Sequence, residues 1–227
     1  MKKSVLLLFT CCVYSFVFAV LPFSIPHSET VLLQKDFAPH YDYASQRFLL
    51  RNEKAKFSRK FLRASLEVFT YDMFSTALLF TLPYDITKWS RPNGEKVNRQ
   101  YRKTFTQRPV YDPDPWYVNF IGHPYTGACY YNAVRSQGAT FWQAILFTTG
   151  YSVVWEYVAE GGLEQPSIQD LVVTPVVGCI LGELIHHSTI MMSRNGFKWY
   201  EKAFVCVFNP MFAINNGFKY AQKIPAL

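Results

Sequence analysis

The second half of the chain is a succession of ring-rich apolar stretches cut by helix stop and start signals, and this pattern most limits the available folds. Trp116 to Ser136 forms the first stretch. Thr140 to Ala159 follows, opening on Thr140-Phe141-Trp142-Gln143, where Thr140 can cap the helix and Gln143 can reach back to the cap amide. Gly161-Gly162 closes it. Pro166-Ser167-Ile168-Gln169-Asp170 opens a third, with Ser167 as cap and Asp170 placed to complete a capping box. It runs to about Met192 and stops at Asn195-Gly196. Pro175 is expected to bend or divide it, because proline lacks an amide proton and crowds the preceding turn. Trp199 to Phe218 is the last stretch, with a break at Asn209-Pro210.

Upstream, Phe61, Leu62, Leu66, Phe69, Met73, Phe74, Ala77 and Leu78 recur at helical spacing within Ser58 to Leu82, until Pro83 ends the pattern. Neither strand alternation nor an internal repeat is present. The fold class is therefore all-α: a single aromatic-rich bundle of about five to six helices over residues 57–220. Residues 84–115 are polar, basic and rich in proline, which predicts a long connection with one short helix around Val97 to Phe105 and a turn at Asp112-Pro113-Asp114-Pro115.

The start of the chain reads differently. Lys2 and Lys3 precede an apolar run from Val5 to Val20, Ala19 offers a cleavage site, and Pro22 and Pro26 follow. This is the pattern of a secretory signal peptide over residues 1–20, with an uncleaved anchor as the alternative. Residues 21–56 read as an extended lead-in. The expected localisation is export to the periplasm with membrane association. Cys11 and Cys12 fall in the leader, while Cys129, Cys179 and Cys206 have no framework spacing and read as core residues.

Half the residues are apolar and 18% are aromatic, more rings than one core absorbs. Rings left on a surface suit a lipid headgroup zone or a protein partner. The net charge of +7 is concentrated early, at Lys54, Lys56, Arg59, Lys60 and Arg63, then at Lys96, Arg99, Arg102, Lys103 and Arg108. Anionic lipid is a partner for such patches, and the export signal argues against nucleic acid. The expected partners are membrane lipid or an envelope protein. Oligomeric state and cofactor are not assigned. Beyond the leader, no segment gives the run of uncharged apolar residues that a conventional spanning helix demands.

Several polar residues stand out against this background. Glu156 and Glu160 share a helix face one turn apart, and like charges there repel unless a cation, a base or a shared proton relieves them. Glu183 lies one turn before His186 and His187, and Glu183-Leu184-Ile185-His186 has the Glu-x-x-His spacing of di-metal bundles, without the second copy such bundles need. His123 opens the first aromatic helix and Asp170 the third. His123, Glu156, Asp170 and Glu183 are the candidate catalytic cluster, and Glu160, His186 and His187 are candidate metal ligands. The structural alternatives are that Asp170 only completes a cap, that Arg135 pairs with Glu156 or Glu160, and that the two histidines only offset a helix dipole.

Trp116-Tyr117-Val118-Asn119-Phe120-Ile121-Gly122-His123-Pro124-Tyr125, Trp155-Glu156-Tyr157, Glu164 through Leu171, Thr174-Pro175 and Gly178 through Glu183 resemble the bacterial domain-of-unknown-function family numbered 3943. The resemblance implies an exported protein of Gram-negative bacteria and brings no activity. A looser similarity extends to VanZ-like and YfiM-like envelope proteins, with an early His, a later acid and a Ser-x-x-Asp before a Gly-rich helix; His123, Glu156, Ser167, Asp170, Gly178 and Gly182 occupy those places. The expected function is an envelope protein that associates with lipid or a partner. The alternative is a membrane-interface enzyme acting on a lipid or cell-wall precursor.

Overall fold

The computed structural model describes residues 40–42, 47–87, 89, 93–193 and 196–218, so the expected signal segment lies outside the described residues. Two three-residue strands, β1 (His40–Asp42) and β2 (Arg47–Leu49), pair antiparallel with His40 opposite Leu49. They are too short to show an alternating pattern in sequence. The other regular elements of the described residues are helices: α1 (Phe57–Leu79), α2 (Tyr84–Thr87), α3 (Gly94–Thr106), α4 (His123–Arg135), α5 (Phe141–Val154), α6 (Asp170–Ser193), α7 (Trp199–Phe208) and α8 (Pro210–Asn216). The all-α class holds, with α3 replacing the shorter helix expected inside the basic connection.

Two π-helical turns interrupt the regular helices. One, Val118–Gly122, runs into α4, and the other, Trp155–Ala159, continues α5. The Thr140 capping box forms as expected, with Gln143 N donating to Thr140 Oγ1 and Thr140 N donating to Gln143 Oε1. Asn209 separates α7 from α8 and caps the latter through Phe212 N. Pro175 does not divide α6, which is continuous; the missing amide lies near the N-terminus of α6 and removes one bond of the ladder.

α4 is the hub. Gly127 through Val134 are all buried, and α6 crosses it where Gly178 meets Gly127 and Gly182 meets the Tyr131 ring. Both glycines of α6 therefore serve the close helix approach their spacing predicts. Around this contact, Ala64 and Val68 of α1, Phe147 of α5 and Met211 of α8 close the core, and the Tyr71 ring meets Tyr130 edge-on. Cys129 and Cys179 are buried, and Cys206 is half-buried.

Polar side chains share the interior with the apolar core, and many large apolar side chains stand on the surface. Asn119, Asn132, Gln137, Thr148, Ser152, Asn209 and Asn215 are buried. Meanwhile Leu62, Leu66 and Phe69 of α1, Trp142 and Leu146 of α5, and Val172, Val176, Ile180 and Leu184 of α6 are exposed. Among the interior amides, Asn132 Nδ2 donates to Ala128 O and Gly182 O and Asn209 Nδ2 donates to Thr189 Oγ1, while the side-chain oxygens of Asn119, Asn132 and Asn215 are buried without a partner among the described residues. Water-soluble folds usually place such residues the other way round. α6 is long and apolar enough to cross a membrane by length and composition, and 39% of its most apolar window is buried within the protein. The first basic cluster loses one member, because buried Lys60 donates to Glu53 O and Gly138 O instead of facing solvent.

Candidate functional site

His123, Glu156 and Asp170 come together at one end of the bundle. His123 is the first residue of α4, Glu156 sits in the π turn that ends α5, and Asp170 is the first residue of α6. One donor atom from each lies within 4.8 Å of the other two. His123 Nδ1 is 3.1 Å from Thr174 Oγ1, which holds the ring so that Nε2 faces Asp170 Oδ1 at 3.7 Å. Glu156 Oε2 accepts from Ser167 N at 2.8 Å, and Ser167 Oγ accepts from Asp170 N at 3.1 Å. The capping role expected of Ser167 is thus real, and Glu156 adds a second anchor at the start of α6.

The turn Asp112-Pro113-Asp114-Pro115 contributes a further acid that its sequence did not single out. Val110 bridges to Ser167, Asp112 N donates to Gln169 Oε1, and the Asp112 carboxyl hydrogen-bonds to that of Asp170. Its signal in the sequence was an Asp-Pro repeat, which reads first as turn chemistry.

Burial dominates the electrostatics. It pushes Asp112 up to about 6, with the hydrogen bond and charge of Asp170 adding to the rise. Burial raises Asp170 and Glu156, the latter further through neighbouring Asp170 and Glu164. It lowers His123 to about 4, so the imidazole is neutral near pH 7 and the contact with Asp170 is not an ion pair there. Side-chain exposure is 15% for His123 and 1% for Asp170, so the histidine edge is the way in from the surface.

The other predicted residues fall elsewhere. Glu160 adjoins the cluster but is committed: its carboxylate accepts from Trp89 Nε1 and Trp155 Nε1, and burial raises it together with Glu164. Glu183 does not belong to the cluster. It lies 13 residues beyond Asp170 along α6, about 20 Å at the rise of an α-helix. There it accepts from Arg135 Nε and Nη2 and from the Tyr131 hydroxyl. Arg135 therefore pairs with Glu183 and not with Glu156 or Glu160. His187 is exposed and meets Glu183 at 3.1 Å, while His186 is buried, lowered to about 3 mainly by burial, with Nδ1 unpartnered. The Glu-x-x-His pair thus holds no open ligand set, because Arg135 and Tyr131 occupy the carboxylate.

Helix α3 packs on the same end as His123. Tyr101 donates its hydroxyl proton to Val158 O and Thr104 donates to Gly161 O, which leaves Lys96, Arg99, Arg102 and Lys103 exposed beside the site.

These features define a class: an all-α bundle with exposed apolar helix faces, polar side chains within its core, and a buried histidine–carboxylate centre at one end. Residues 108–211 match the family described as Domain of unknown function (DUF3943). The matched region spans α4 to α7 and carries every residue of the centre. The looser likeness to VanZ-like and YfiM-like proteins has no counterpart among the comparisons, and no curated protein or solved structure matches the chain.

Proposed function

We propose that this chain is an exported bacterial envelope protein that associates with membrane lipid through the outer faces of α1, α5 and α6. One observation carries the reading: Val172, Val176, Ile180 and Leu184 stand one helical turn apart on α6 and are all exposed, and α1 and α5 also expose large apolar residues. Apolar surface on this scale is costly in water and marks a lipid or protein contact. The basic side chains of α3 complement anionic headgroups at the end of the bundle. The test is flotation of the purified full chain with phosphatidylethanolamine–phosphatidylglycerol vesicles. The protein is expected to float even in high salt, and Val176→Glu with Ile180→Glu should abolish flotation while the helical circular dichroism stays unchanged. Wild-type protein that is folded and stays at the bottom of the gradient sinks the reading.

The convergence of His123, Glu156 and Asp170 beside α3 favours a second reading, an enzyme acting at the membrane interface on a lipid or cell-wall precursor. A neutral His123 can accept a proton at Nε2, and a carboxyl raised by burial can donate one. Glu156→Gln and Asp170→Asn, expressed at normal levels, are expected not to restore envelope integrity to a deletion strain. Full restoration by both removes this reading.

A further inference from the structure

We infer that His123, Glu156 and Asp170 bind a divalent transition-metal ion of the zinc or manganese class. The inference rests on reading these residues as the working site, and is independent of lipid binding.

Much of the arrangement around Asp170 follows from starting a helix there. Glu156 accepts from the Ser167 amide, and an acid in the first turn suits the helix dipole. Two observations do not. Asp170 Oδ1 is buried without a hydrogen-bond partner, in a side chain only 1% exposed. It is aimed at His123 Nε2, the ring nitrogen left over once Nδ1 has met Thr174. A carboxylate oxygen with no donor is costly to bury. No cationic side chain offsets the charge: among the described residues, no lysine or arginine is ion-paired with Asp112, Glu156 or Asp170.

A cation between these groups answers both points. Donors about 2.1 Å from one ion stand about 3.4 Å apart at tetrahedral angles and about 4.2 Å apart when opposed. The separations of 3.7 Å for the His–Asp pair and at most 4.8 Å for the set need only a small closure of side chains. One imidazole nitrogen with carboxylate oxygens is a donor set for zinc or manganese; magnesium and calcium take oxygen alone. The supporting shell is already present. Thr174 orients the imidazole, Ser167 N holds Glu156, and Asp112 braces Asp170. Three separate helix ends supply the ligands, so the ion would also tie α4, α5 and α6 together.

The experiment uses the full chain in detergent, stripped with a chelator, titrated with Co2+ and Zn2+, and desalted for elemental analysis. One ion per chain is expected, with a visible Co2+ absorption that Zn2+ displaces. His123→Gln and Asp170→Asn should each weaken binding on the order of tenfold or more and erase the absorption. Thr174→Val, which touches no ion, should weaken it less, and His187→Gln should leave it unchanged. If Asp170→Asn fails to fold, His123→Gln and Thr174→Val still decide. Metal well below one per chain, binding unaffected in both ligand variants, or binding lost in His187→Gln overturns the inference. Flotation measured in parallel separates the claims: loss of metal with flotation intact refutes the metal site alone, and the reverse refutes lipid binding alone.

Discussion

Gly178 lies so close to Gly127 that a Cβ built on it would come within 2.6 Å of the Gly127 Cα. Helix propensity favours Gly→Ala by roughly 1 kcal/mol, but here the added methyl meets backbone, which cannot swing away. Gly178→Ala is expected to destabilise by about 1–3 kcal/mol net, measured by thermal or denaturant unfolding in detergent. Gly150, on α5 with open space around it, is the control. Gly150→Ala should be neutral or stabilise by up to about 1 kcal/mol. Because α4 carries His123 and α6 carries Asp170, Gly178→Ala should also loosen the site in the Co2+ titration.

The Arg135–Glu183 pair yields a prediction with a defined pH sign. Desolvation alone would raise Glu183, yet the hydrogen bonds and charge of Arg135 and the hydroxyl of Tyr131 hold it at about 2. Its folded value is depressed, so it contributes stability above its ordinary value of 4.5, and that contribution is lost as pH falls through about 2. Arg135→Ala leaves a partly buried carboxylate short of two donors and should cost about 2 kcal/mol at pH 7. The difference from wild type should shrink when unfolding is measured near pH 3. A difference constant with pH would show that lost packing is responsible.

How much of this was legible follows from which residues act locally. Thr140 and Gln143, Asn209 and Pro210, and the glycines of α6 do their work within a turn or through backbone shape, so their roles could be read directly. Glu183 could not be placed, because a Glu-x-x-His spacing is the same whether the acid faces a metal or an arginine from another helix. The two π turns were also hidden. Each inserts an extra residue per turn, which changes the face presented by Glu156 and Glu160; a regular 3.6-residue reading keeps the two together. In the structure Glu156 reaches the start of α6 while Glu160 meets two indoles. Asp112 was masked by its prolines, and its role needs the Val110–Ser167 bridge, a contact between distant segments.

Opposite pH behaviour is expected from the inner face of α1. Burial pushes Glu67 and Asp72 up to about 7, against the opposing pull of Arg63 and Asn215 on Glu67 and of the Tyr130 hydroxyl on Asp72. Between their ordinary values and 7, the folded chain keeps protons that the unfolded chain releases, so stability falls as pH rises through that window. Asp72→Asn retains an acceptor for Tyr130 and removes the titration. Its melting temperature should fall less steeply than that of wild type from pH 5 to pH 8. Parallel slopes would mean that Asp72 does not titrate in this range.

Glu160 and Glu164 stand one turn apart and should respond oppositely to the same substitution. Glu160 is an acceptor on both oxygens, from Trp89 Nε1 at 3.1 Å and Trp155 Nε1 at 2.8 Å. Glu164 is pushed up to about 10, first by burial and then by the charge of Glu160 and a hydrogen bond to it, so at neutral pH it is the protonated partner of the pair. An amide imitates a protonated carboxyl, because it keeps one acceptor and supplies donors. Glu164→Gln should therefore preserve the fold at pH 8 or stabilise it by removing a titrating group. Glu160→Gln sets an NH2 group against an indole N–H and should cost about 1–3 kcal/mol. Tryptophan emission is the local readout: a red shift is expected for Glu160→Gln, as the indoles lose their acceptor and admit water, and none for Glu164→Gln. Equal shifts in both variants would show that the carboxyls act as one unit, with the proton shared and not held by Glu164.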